Sequence, residues 1–126
     1  MEDEAMERSI KTISLFKSQR VVAGSSGVSD PIDLRDMSKN GDFSVYYKIE
    51  KAGGVATCGS AKLSFTGSPV YDGTYISPTN GTFGTVGDEG GNDIVAITPP
   101  VIPFMKINIA IGSSGTALVT ASLHVR

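Results

Sequence analysis

One cysteine, one histidine and no tryptophan stand among 126 residues, and each shortage removes a class of function. Cys58 alone can form no internal disulfide, and it lacks the partners a thiolate zinc site needs within one chain. His124 has no motif around it that would complete a triad or a histidine metal site, so a surface histidine is expected. Charge is sparse too: 11 Lys and Arg against 13 Asp and Glu leave a net charge of -2. Affinity for nucleic acid rests largely on Lys and Arg at phosphates, so no direct contact with DNA or RNA is expected. No stretch approaches the roughly 20 apolar residues of a membrane span. The acidic opening Met1-Glu2-Asp3-Glu4-Ala5-Met6-Glu7 lacks the basic-then-apolar order of a secretory signal. The expectations are no cofactor, no membrane association and synthesis in the cytoplasm.

What the chain does have is alternation. In Phe43-Ser44-Val45-Tyr46-Tyr47-Lys48-Ile49-Glu50 side chains must fall on opposite faces of a strand, with Phe43, Val45, Tyr47 and Ile49 inward. The same period of two places Ala61, Leu63 and Phe65 inward, then Met105, Ile107, Ile109 and Ile111, and finally Ala117, Val119, Ala121, Leu123 and Val125. Fifteen glycines and six prolines suit short strands joined by many turns. These patterns predict an all-β, two-sheet antiparallel sandwich, jelly-roll-like or Ig-like, with an N-terminal arm.

Residues 1–20 are expected to form that arm and a first strand, and residues 21–126 the sandwich. The first strand would carry Ile13 and Leu15 on its apolar side and continue through Val21 and Val22, with Phe16 out of phase. Gly24 to Gly27 marks a turn, Asp30 to Leu34 a short edge strand that tolerates a proline, and Asn40-Gly41 the turn into the strand at 42–51. A weak strand is expected at Tyr75 and Ile76. Residues 77–92 form a long loop broken at most by a strand around Phe83, and such loops often carry binding. The prolines at 99, 100 and 103 mark a crossing between sheets, and Gly112 to Gly115 closes a hairpin of the last two strands.

Few residues suggest chemistry. Cys58, in Thr57-Cys58-Gly59, is expected to be a structural thiol. Asp88-Glu89-Gly90-Gly91-Asn92-Asp93 interleaves oxygen donors with glycine as a hard-cation loop does, yet its spacing departs from the helix-loop-helix calcium pattern, and a solvated acidic loop is expected. Asn80-Gly81-Thr82 fits a three-residue glycosylation sequon, and Asp33 with Asp36 has no assigned cleft. No enzyme activity is expected. The expected functional residues are contacts instead: Ile10, Ile13, Leu15 and Phe16 in the arm, and Tyr46 and Leu118 on the outer face. Tyr71, Tyr75, Phe83, Asp88 and Glu89 form a candidate binding loop.

The segments Gly27 to Leu34, Gly41 to Ile49 and Lys62 to Phe65, the proline-rich crossing and the closing Ala-x-Leu-x-Val-Arg strand resemble small β-sandwich structural proteins of tailed bacteriophages and prophages. The resemblance covers residues 24–126 as a pattern of strand and turn spacing. It implies a virion component on the capsid surface, a decoration or cement protein that binds the major capsid protein as an oligomer, commonly a trimer. The alternative is a receptor- or carbohydrate-binding sandwich of a phage tail or fibre, using Tyr71, Tyr75 and Phe83 as a stacking surface. The missing tryptophan weighs against it.

Overall fold

The alternating segments become the central strands of two facing sheets because each has one face apolar throughout, which only burial on both layers satisfies. The computed structural model describes residues 10–35, 42–55, 57–112 and 115–126. The acidic arm of residues 1–9, Asp36 and the Asn40-Gly41 turn lie outside these. Nine strands follow in order: β1 Lys11–Val22, β2 Ser26–Val28, β3 Ile32–Asp33, β4 Phe43–Lys51, β5 Lys62–Ser68, β6 Thr82–Thr85, β7 Gly91–Ile97, β8 Phe104–Ala110 and β9 Thr116–Val125. No helix occurs among the described residues, so none is long and apolar enough to cross a membrane.

One sheet has the order β1-β9-β4-β7 and the other β2-β8-β5-β6, with β3 also pairing with β8, and every pairing is antiparallel. The expected sandwich is therefore present, and its strand order is that of a jelly roll, with β3 as a short addition. The core is the set the alternation picks out: Val45, Tyr47 and Ile49 of β4, Leu63 and Phe65 of β5, Met105, Ile107 and Ile109 of β8, and Val119 to Val125 of β9 at every second position. Ile32 is buried in the edge strand β3, behind Pro31. The segment holding Pro99, Pro100 and Pro103 does carry the chain from one sheet to the other.

Several expectations need correction. The last two strands form no hairpin: β8 and β9 belong to different sheets, and the turn between them crosses the sandwich. A glycine-rich turn serves either connection, so spacing alone does not distinguish them. Phe16 is not an outer-face residue. The register of β1 against β9 slips between Ser14 and Phe16 and again before Gln19, leaving Leu15 as the extra residue and setting Phe16 opposite Ala121. A bulge of this kind turns the next side chain over, and Phe16 is 2% exposed in the core. β1 therefore belongs to the sandwich along its length, rather than to an arm. Ser26 and Gly27 lie in β2 rather than in a turn, and the strand expected at Tyr75 and Ile76 is a single bridge between Ile76 and Gly67.

Candidate functional site

The two ends of the sandwich differ in kind. Towards one end lie all six prolines, at 31, 69, 78, 99, 100 and 103. Proline cannot donate to a ladder, so the chain there runs as loops beyond the sheets. The 69–76 loop is held back on β5 by reciprocal backbone bonds between Gly67 and Ile76, 3.0 and 2.9 Å. Buried Ser68 starts it, its hydroxyl donating to the Val70 carbonyl at 2.7 Å. Between this loop and the 98–103 segment runs an apolar groove of about 220 Å³, lined by Phe65, Pro69, Ile76, Pro78, Pro100 and Ile102. Past Phe65 and Pro100 it meets a wider groove of about 630 Å³ on the open side between β6 and β7, where Phe83, Val95 and Ile97 form the apolar wall. Around the narrower groove Ile76 is 67% exposed, Val101 is fully exposed, and Val70 and Tyr71 are more than half exposed.

Beside the groove an aromatic cluster covers the outer face of the second sheet. Tyr71 meets Phe104 edge-on at 5.7 Å, Arg35 lies 5.1 Å from the same ring, and Lys106 Nζ lies 4.2 Å from the Tyr75 ring centre. The Tyr75 hydroxyl donates to the Tyr71 carbonyl at 2.7 Å, and burial, with Tyr71 and Asp72 nearby, raises its pKa. Arg35 also grips Asp33 in two-pronged fashion, at 2.7 and 3.0 Å, and its backbone N–H donates to the same carboxylate. These hydrogen bonds hold the Asp33 pKa down at about 2.

The opposite end carries the cysteine and the first half of the expected acidic loop, Asp88 to Gly90; Gly91, Asn92 and Asp93 are not loop but the start of β7, paired with β4. Cys58 is buried, and its thiol donates to the Gly87 carbonyl at 3.0 Å. Asp88 accepts from Ser60 at 2.9 Å, while its carbonyl receives the Cys58 N–H. Glu89 pairs with Lys51 at 2.8 Å. These carboxylates hold turns together, and no group of three metal-ligating residues occurs among the described residues. His124 sits on the outer face of the first sheet, bonded to Thr12 Oγ1 at 3.0 Å and Ser122 Oγ at 2.8 Å.

The candidate binding loop is thus divided. Tyr71 and Tyr75 lie together; Phe83 stacks on Phe65 with centroids 6.3 Å apart and faces the wider groove. Asp88 and Glu89 stand at the other end, because β6 and the start of β7 cut the 77–92 stretch into two turns. Ile10 is 62% exposed; Ile13 and Leu15 are half-buried and line a third groove, about 310 Å³, against Ser29 to Asp33. Tyr46 and Leu118 are half-buried on the outer face, Tyr46 between Ser122 and Ile94, Leu118 between Arg20 and Glu50. Sequence reasoning missed Ile76, Val101 and Ile94, the last 68% exposed. The signal for Val101 was its place in Pro99-Pro100-Val101-Ile102-Pro103, where no strand can carry it inward.

No protein-family model matches the chain, and no curated protein sequence matches it.

Proposed function

We propose that this chain is a non-enzymatic structural protein of a virion, of the capsid decoration or cement type, which binds the shell through its proline end. The observation that carries the reading is the apolar 220 Å³ groove, on which Ile76 is 67% exposed, with exposed Val70 and Val101 next in sequence to its lining residues Pro69, Pro100 and Ile102. Soluble monomers seldom leave contiguous apolar patches open, and those that do commonly use them for association. Jelly rolls occur among viral capsid and lectin domains, which is analogy of fold and favours neither reading. A shell offers many copies of one weak site, so each contact need bury only a modest area. The partners in this reading are the major capsid protein and further copies of the chain, three in the simplest arrangement.

The sugar-binding alternative loses ground on geometry. Tyr75 already has Lys106 over its ring, and Phe83 is turned to Phe65, so the three rings make no common platform for stacking. Light scattering on the isolated chain, followed by sedimentation with assembled phage heads, tests the proposal. Association with heads that Ile76→Ser with Val101→Ser weakens at least tenfold is the expected result. A chain that stays in the supernatant with heads and binds a glycan array overturns it.

A further inference from the structure

The two outer strands of the four-stranded sheet carry opposite charge. β1 holds Lys11, Lys17 and Arg20 and no acidic residue; β7 holds Asp93, the turn before it holds Asp88 and Glu89, and no Lys or Arg occurs between Val86 and Met105. Glu89 is bridged to Lys51, whereas Lys11, Lys17, Arg20 and Asp93 enter no ion pair among the described residues. Along the edge, β7 pairs with β4 from Gly91 to Ile97 with no slip in register, and it contains neither lysine nor proline. Its one charged side chain, Asp93, lies on the inward side opposite Tyr47 and accepts the Ile94 N–H at 2.8 Å, so the stretch without an edge guard is Val95–Ile97. β1 is guarded from Leu15 onward by its two slips, but Lys11–Ser14 is regular.

Topology makes the two edges complementary. Four strands alternate in direction, so β1 and β7 run opposite ways. A second copy displaced sideways therefore presents its β1 antiparallel to β7, with inward faces still inward. The register across the sheet sets Ile97 level with Phe43, Val125 and Lys11; Val95 with Val45, Leu123 and Ile13; and Asp93 with Tyr47, Ala121 and Phe16. A copy docked at the same height brings Lys11–Ser14 alongside Ile94–Ile97 and sets Arg20 level with the turn that holds Glu89, while Asp93 comes level with Phe16, where the first slip of β1 ends the regular stretch. Ile13 then faces Val95, and exposed Ile94 is covered by Ser14. The grooves of about 630 and 310 Å³ flank these same two edges, one walled by Val95 and Ile97 and the other by Ile13 and Leu15, so the joint closes both.

We propose that copies of this chain join edge to edge, β7 of one against Lys11–Ser14 of the next, continuing the sheet across the boundary. This deepens the assembly reading and rests on it for the claim that copies meet. The contact is head to tail, so it closes into a ring or grows as a filament. Two single-cysteine additions, Thr12→Cys in one chain and Ala96→Cys in another, sit opposite each other across the joint, within the reach of directly paired strand residues. Mixed under mild oxidation, they should give a disulfide-linked dimer, while either alone gives none and buried Cys58 stays silent. An oligomer that yields no disulfide between the Thr12→Cys and Ala96→Cys chains, or links Ala96→Cys to itself, overturns the edge joint and leaves the assembly reading standing. A chain monomeric at every concentration and indifferent to phage heads overturns both.

Discussion

The glycine end and the proline end of this sandwich solve the same problem, closing a two-sheet body, in opposite ways. At the first, four connections are tied to one another by backbone bonds: Gly24 N–H to Gly112, Gly112 N–H to Gly59, Thr116 N–H to Thr57 and Cys58 N–H to Asp88. Among the described residues, the five glycines with positive φ, Gly24, Gly54, Gly59, Gly90 and Gly115, all lie in these turns. At the second, among the described residues, backbone bonds such as Leu34 N–H to Pro103 and Arg126 N–H to Asp42 stay within one sheet's side, and apolar side chains face outward. The lesson is a division of labour: one end is spent on the fold and the other is left for contact.

The sharpest way to break that comparison is to give the glycine end a side chain. Gly115 has φ 95°, and a Cβ there would lie 2.5 Å from the Thr57 carbonyl oxygen; at Gly90, with φ 84°, it would lie 2.3 Å from that of Ile49. A left-handed conformation alone costs an L-residue about 1–2 kcal/mol, and these neighbours are backbone that can yield only by moving a turn. Gly115→Ala and Gly90→Ala should each cost at least about 2 kcal/mol, read from the urea midpoint. A loss below about 1 kcal/mol in both would mean the end is less tightly closed than its bonds indicate.

Much of this body was legible in the sequence, and the exceptions have causes. Val45, Tyr47 and Ile49, or Met105, Ile107 and Ile109, alternate cleanly because their strands are central and bury one whole face. β1 is an edge strand, and its bulge at Leu15 has no mark in composition, so Phe16 looked like an outward residue when it is core. The partners of β8 and β9 were hidden because alternation assigns faces but not neighbours. The candidate site was half visible. Tyr71 and Tyr75 do lie together, yet Ile76 and Val101 resemble core residues by type and are exposed only because prolines keep their segments out of the sheets. Ile94 sits in an unbroken apolar run, Ile94-Val95-Ala96-Ile97, where no alternation reveals which residue faces out.

Cys58 gives a smaller effect on the same comparison. Its thiol fills a fully buried position and donates to Gly87 between two turns of the glycine end. Cys58→Ala should cost about 1–2 kcal/mol, from a small void and a carbonyl left without its donor, and the wild-type thiol should react with a thiol reagent only at the rate of global unfolding. Rapid labelling of the folded chain would show that this end opens locally. At the proline end, Ile76→Ser with Val101→Ser should change stability by no more than about 0.5 kcal/mol per site while reducing association. A large loss of stability there would mean these side chains support the fold after all.

The smallest expected effect tests whether anything at the proline end is held by charge. Arg35 keeps the Asp33 pKa at about 2 in the folded chain, against 3.8 for the free side chain, through its guanidinium and its backbone N–H. Because the folded value is the lower one, the pair favours the folded state above pH 3.8. That contribution fades as pH falls from 3.8 towards 2, where the carboxylate takes up its proton in both states. The pair is open to solvent, with 63% of the Arg35 side chain and 47% of the Asp33 side chain accessible, so screening keeps its part in stability small. The direct measurement is an NMR titration of the Asp33 carboxyl. A midpoint near pH 2 that Arg35→Gln returns towards 3.8 is expected, together with looser packing of the Phe104 ring that Arg35 covers. A midpoint near 3.8 in the unaltered chain would show that the proline end lacks even this clasp, and would widen the contrast with the stitched glycine end.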